Sequence, residues 1–142
     1  MEGKKFIVAA MRLGYGWELM SRIMVVDDEP DLLRLLEKFL SRRGYGVIPV
    51  SSAMECLEKV KAEKPDLILL DVMMPDMDGW ELCRTLKDSE ETKDIPVVML
   101  TVCTSNASVE RSFKFARCDA HLEKPIVLEK LLGTIEDFIG GN

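Results

Sequence analysis

The sequence predicts an α/β fold: a doubly wound, five-stranded parallel sheet covered on both faces by five helices. Three observations predict it. Short, nearly continuous apolar runs recur five times between residues 20 and 139, as in strands buried on both faces. Between them apolar residues return at helical spacing, bounded by capping and breaking residues. At 142 residues the chain suits one compact domain with a real core and leaves little room for a second.

The elements follow in order. Residues 22–27, Arg-Ile-Met-Val-Val-Asp, form the first apolar run. Glu29-Pro30 then opens a helix, since proline suits a first helical turn. Leu32, Leu33, Leu36, Phe39 and Leu40 supply its apolar face, and Gly44 stops it. Residues 45–50 read as the second strand. Ser52 and Glu55 make a capping box for a helix that buries Ala53, Leu57 and Val60. Pro65 closes that segment, and 66–71 is the third strand.

A helix from Trp80 to Asp88 precedes a strand at 95–101. A weaker helix spans about Ser105–Arg117, with Val109, Phe113 and Ala116 on one face and Phe115 pointing elsewhere. Packing of that face against a neighbouring helix is preferred to a role as a partner anchor. A short strand at Ala120–Glu123 leads to a last helix, Val127–Ile139. Leu128, Leu131, Leu132, Ile135, Phe138 and Ile139 make its apolar stripe.

Composition excludes several function classes. A formal net charge of −6 argues against a nucleic-acid surface, which needs clustered Lys and Arg. No apolar run approaches the ~20 residues of a membrane helix. Cys56, Cys83, Cys103 and Cys118 are widely spaced and only one histidine is present, which is poor material for zinc. They read as reduced thiols of a cytoplasmic protein. Cys103 and Cys118 fall at opposite edges of the sheet, so a disulfide between them would contradict the fold. Residues 1–19 do not share the regular pattern. They are expected to be an atypical extension or to precede a natural start at Met20.

The chemistry is expected at the carboxyl ends of the strands, where open α/β sheets bind ligands. Asp27-Asp28 end the first strand, Asp71 the third and Thr101 the fourth, while the fifth leads to Lys124-Pro125. Neighbouring carboxylates need a cation or take up protons. Oxygen-only ligands suit Mg²⁺, and three carboxylates, one Mg²⁺ and Lys124 sum to zero charge. Lys124 then offers a point charge to an incoming oxyanion, and Thr101 a neutral donor. A carboxylate can itself be the nucleophile and form an acyl phosphate. Taken singly, Asp27-Asp28 could be a helix cap, Asp71 a loop residue and Lys124 a solvated charge. Their convergence on one edge argues against all three at once.

The motifs "VVDDEPDLLRLL", "DLILLDVMMPDMDGWEL", "IPVVMLT" and "HLEKP", in that order, resemble the receiver domain of two-component response regulators. The resemblance spans about Ser21–Gly140, within an expected domain at 20–140, and no output domain is expected after it. It implies the flavodoxin-like strand order 2-1-3-4-5. It implies that Asp71 accepts a phosphoryl group from a phosphohistidine on a sensor histidine kinase or a histidine phosphotransfer protein. Asp28, Asp71 and the backbone carbonyl of Met73 would ligate Mg²⁺, with Mn²⁺ as a substitute, and Asp27 would act through water. Lys124 would contact the phosphoryl group and Thr101 would move toward it as the switch. Lys124-Pro125 is expected to be cis. Output would pass from the surface of helix 4, strand 5 and helix 5 to an unknown downstream protein, or onward in a relay, from a monomer or weak dimer.

Several positions depart from the family pattern. His121 stands where the aromatic partner of the switch threonine is usual. It either fills the same slot with a smaller ring or makes the output face pH-sensitive. Val102 is bulkier than the usual small residue and narrows access. Arg117-Cys118 replace Gly-Ala, which costs about 1 kcal/mol if the position is left-handed and would reshape the loop. Met73 and Cys103 are neither acids nor amides able to orient a hydrolytic water, so slow self-dephosphorylation is expected. Two rivals remain at this point. A Mg²⁺-dependent phosphohydrolase of the haloacid-dehalogenase type would need a second Asp at position 73. A scaffolding receiver would have lost an acidic residue, the Thr or the Lys.

Overall fold

The computed structural model describes residues 20–102 and 105–140. The expectations for 1–19 and Cys103 lie outside them. Five strands, β1 (Arg22–Val26), β2 (Gly46–Val50), β3 (Leu67–Asp71), β4 (Val97–Thr101) and β5 (Ala120–Glu123), pair in parallel in the order 2-1-3-4-5. The helices are α1 (Pro30–Arg42), α2 (Ala53–Glu63), α3 (Gly79–Asp88), α4 (Asn106–Glu110, continued by a π-helical turn Arg111–Phe115) and α5 (Leu128–Ile139).

Every residue of β3 and β4 is buried, which is why these runs are uninterrupted in the sequence. Their side chains alternate between two cores. Met24, Val26, Ile68, Leu70, Val97 and Met99 face α2, α3 and the end of α4. Ile23, Val25, Leu67, Leu69, Val98 and Leu100 face α1 and α5, which contribute Leu36, Leu40, Leu131 and Ile135. Pro49 is tolerated in β2 because that strand lies at the sheet edge.

Some local expectations change. In α2 the buried positions are Ala53, Cys56 and Val60, while Leu57 is only partly buried. Ser52 caps α2 by accepting the Glu55 N–H at 3.1 Å, but the Glu55 carboxylate returns to the N–H of Ser51, at 2.8 Å. The Asp76 carboxylate accepts the Ala53 and Met54 N–H groups, a cap from a distant loop. Phe138 lies off the buried stripe of α5, 38% exposed.

The larger correction concerns α4. Phe113 is 43% exposed, whereas Phe115 packs against the core. The cause is the π-helical turn, where the Ala116 N–H bonds the Arg111 carbonyl five residues back, at 3.0 Å. One extra residue per turn rotates the helical phase. Arg117 itself adopts the left-handed conformation, φ 59°, and its guanidinium pairs with Asp88. Cys56, Cys83 and Cys118 are free, buried thiols, and burial pushes each pKa up to about 12. They are inert at neutral pH.

Candidate phosphoacceptor site

Parallel registration places the carboxylates. Val26 of β1 pairs with Leu70 of β3, so Asp27 and Asp71 leave adjacent strands side by side. Asp27 is fully buried and Asp71 only 4% exposed, whereas Asp28 is exposed. One carboxylate oxygen from each of Asp27, Asp28 and Asp71 lies within 4.8 Å of the others. The donors are all oxygens, two of them from buried carboxylates, which fits a small hard dication.

Lys124 reaches this cluster from beyond β5. Its N–H bonds the Thr101 carbonyl at 2.9 Å, tying the ends of β4 and β5 together. Its Nζ sits 2.6 Å from Asp27 Oδ2, 3.4 Å from Asp71 Oδ1 and 3.9 Å from Glu29 Oε1. The Lys124-Pro125 bond is cis, as expected. Burial works to lower the lysine pKa, but Asp27, Asp71 and Glu29 together outweigh it and hold the ammonium above its ordinary value.

Asp71 is pushed up from 3.8 to about 6. Burial is the main cause and the Asp27 charge the second, opposed by Lys124 and the Met73 N–H. That N–H donates to Asp71 Oδ1 at a long 3.3 Å. Asp27 is better satisfied, since its Oδ1 also accepts the Glu29 N–H at 2.9 Å. Thr101 is fully buried at the end of β4. Met73 and Val102 are exposed, at 58% and 64%.

The turn after β3 leaves no room for a side chain at Gly79. Its N–H bonds the Val72 carbonyl at 2.7 Å, and a Cβ there would fall 2.3 Å from the Asp71 carbonyl oxygen. Asp78 then caps α3 by accepting the Glu81 N–H at 2.8 Å. Glu29 and Gly79 were not singled out from sequence as site residues. Gly79 follows an Asp at a helix start, a turn signal that does not by itself reveal the close approach.

His121 stands apart from the carboxylates. It pairs with Met99 in the β4–β5 register, half-buried, with its Nδ1 2.9 Å from Ser112 Oγ and its ring 6.4 Å from that of Phe113. It thus lies against the π-helical end of α4.

Comparison with known proteins agrees with this arrangement. Residues 23–136 match the family model described as the response regulator receiver domain. The polar-differentiation response regulator DivK of Brucella ovis is 32% identical over 118 residues, covering 83% of this chain and 95% of that protein. The chemotaxis protein CheY4 of Vibrio cholerae superposes with a TM-score of 0.79 at 29% identity, over 84% of this chain and 99% of that one. The BeF3-activated N-terminal receiver domain of Klebsiella pneumoniae RstA gives 0.76 at 28%, over 82% and 97%. Among the described residues no helix is long and apolar enough to cross a membrane. On its fold, its acidic edge and these matches, the chain belongs to the response regulator receiver domains of two-component signalling.

Proposed function

We propose that this receiver is switched by phosphorylation of Asp71 with Mg²⁺ bound beside it. The observation that carries the reading is the close approach of Asp27, Asp28 and Asp71, with Lys124 at their edge. Asp28, Asp71 and the Met73 carbonyl would hold the ion, with Asp27 acting through water. When bound, Mg²⁺ neutralises charge on the transferring group.

A carboxylate oxygen of Asp71 attacks the phosphorus of a donor phosphohistidine. The P–O bond forms as the P–N bond breaks, and the imidazole leaves with the electron pair. Lys124 pairs with the phosphoryl oxygens, and Thr101 turns its hydroxyl toward them. The switched surface is that of α4, β5 and α5, read by a partner protein in the cytoplasm or used before onward transfer. The acceptor is expected to self-dephosphorylate slowly, because the apolar Met73 side chain cannot orient an attacking water.

The test is intact mass after incubation with Mg²⁺ and a small phosphodonor. Wild type should gain one phosphoryl group, and Asp71→Asn none. An unmodified wild type would overturn the reading, and a half-life of seconds would overturn the slow-dephosphorylation clause.

A further inference from the structure

Receivers relay a change at the acceptor to the output face, and this chain has a physical link between the two that bypasses Thr101. It begins at Gly79, whose Cα is packed so tightly on the Asp71 carbonyl that no Cβ fits. The next residue, Trp80, donates its indole Nε1–H to Ser112 Oγ at 2.9 Å. The same hydroxyl is 2.9 Å from His121 Nδ1 on β5. Ser112 is fully buried and sits in the π-helical turn. Such turns interrupt the ordinary bonding of a helix and recur at functional positions.

The indole is held on its face as well as its edge. The Arg111 guanidinium lies 5.1 Å from the Trp80 ring and 4.1 Å from the Phe115 ring, with Arg84 on Phe115 at 4.7 Å. Trp80 therefore cannot shift without pulling on α4 at both Arg111 and Ser112. An indole nitrogen only donates, so Ser112 Oγ must accept from Trp80 and use its own proton or second lone pair toward His121. The orientation of that hydroxyl is thus tied to the tautomer of the histidine.

We propose that Ser112 is a positioning residue that joins Trp80 at the start of α3 to His121 of β5, making a second route from the Asp71 loop to the output face. This rests on the reading of Asp71 as phosphoacceptor. The contacts form one chain, Asp71 to Gly79 by packing, then Trp80, Ser112 and His121 by hydrogen bonds. None of its links passes through the Thr101 side chain. A buried serine serving only to satisfy its neighbours would hold α4 in place but transmit nothing.

The composition makes the test clean, because His121 is the single histidine and Trp17→Phe leaves Trp80 as the single tryptophan. In the full-length ¹⁵N-labelled Trp17→Phe protein, the probe is Mg²⁺ with beryllofluoride, a phosphoryl mimic. Both the Trp80 indole and the His121 ring signals should shift on its addition. In Ser112→Ala the beryllofluoride adduct, followed by ¹⁹F NMR, should persist while the His121 shift falls to less than about half, as expected for directly coupled residues. Trp80→Phe, which leaves Ser112 in place, should reduce the His121 response in the same way, and Ser112→Thr should restore it.

An adduct in Ser112→Ala and Trp80→Phe with an undiminished His121 response would overturn the relay alone. Absence of an adduct in the Trp17→Phe protein would overturn the phosphoacceptor reading, and the relay with it.

Discussion

Replacing Gly79 by alanine tests how closely the α3 start is fitted to the strand that carries Asp71. The new Cβ would lie 2.3 Å from the Asp71 carbonyl oxygen, 2.7 Å from the Val72 Cα and 3.0 Å from the Asp71 carbonyl carbon. Unstrained non-bonded contacts between heavy atoms require roughly 3.5 Å, so a displacement of about 1 Å is needed. All three obstacles are backbone, and no side-chain rotation relieves them. Overpacking of this kind costs about 1–3 kcal/mol. The lower conformational entropy of the unfolded chain without that glycine offsets about 0.4–1 kcal/mol of that. The net expectation is a loss of about 1–2 kcal/mol in urea unfolding and a melting temperature lower by about 3–8 °C.

The strain lands on Asp71, the proposed phosphoacceptor. Because the clash is with the Asp71 peptide, relief displaces its carboxylate, and a misplacement near 1 Å costs up to about 10² in rate. Phosphorylation by a small donor should therefore slow by more than the stability loss explains. Gly133→Ala is the control, since nothing lies within 4 Å of a Cβ built there, within α5. It should stabilise the domain by about 0.4–1 kcal/mol and leave the phosphorylation rate unchanged. A Gly79→Ala protein as stable as wild type and phosphorylated at the same rate would refute the reasoning.

Three other perturbations follow from the site and its supports. The folded Asp71 pKa, about 6, lies above its ordinary 3.8, so this group favours the metal-free folded state most below 3.8 and loses that contribution as pH rises through about 6. Stability of wild type relative to Asp71→Asn should therefore fall over that window in denaturant titrations without Mg²⁺, and a flat difference would contradict it. Mg²⁺ affinity by calorimetry should rise across the same window, as the proton leaves. Lys124→Ala removes the cation 2.6 Å from buried Asp27, so the metal-free domain should lose stability while Mg²⁺ binds several-fold more tightly. Weaker Mg²⁺ binding would refute that. At the opposite edge, Lys87 Nζ donates to the Ile95 carbonyl at 2.9 Å and to Asp119 at 2.7 Å, so Lys87→Met should cost about 1–3 kcal/mol without slowing phosphorylation.

The parts of this molecule legible in the sequence were those with a simple period or a fixed chain position. Strand runs such as Leu67–Leu70 are apolar without interruption because both faces are covered, and that continuity announced the parallel sheet. Asp27, Asp71, Thr101 and Lys124 were legible because strand ends are where such a fold gathers polar groups. The reversal of Phe113 and Phe115 was not. It depends on one extra residue in the α4 turn, and that turn accompanies long-range contacts of Ser112 with Trp80 and His121, 32 and 9 residues away. The cap that Asp76 lends to α2 spans 23 residues and has no local signature either. Such pairings are decided by the assembled fold, where tertiary contacts override helical periodicity.

The three aspartates carry the same functional group, and their partners separate them. Asp27 is committed: Lys124 sits at 2.6 Å and the Glu29 N–H at 2.9 Å, both strong contacts to a fully buried carboxylate. Asp28 is exposed and solvated. Asp71 has only long contacts, 3.3 Å to the Met73 N–H and 3.4 Å to Lys124, and so is the less satisfied of the two buried carboxylates. It cannot relax away, because β3 is buried along its whole length and locked between β1 and β4. A carboxylate with weak hydrogen bonds keeps its lone pairs available to attack, whereas one in a tight ion pair must first break it. Under the proposed phosphoacceptor reading, that asymmetry favours Asp71 over Asp27 as the nucleophile before any donor arrives. Peptide mapping of the phosphorylated protein after borohydride reduction should place the label at Asp71 alone, and a label at Asp27 in the wild type would refute the selection.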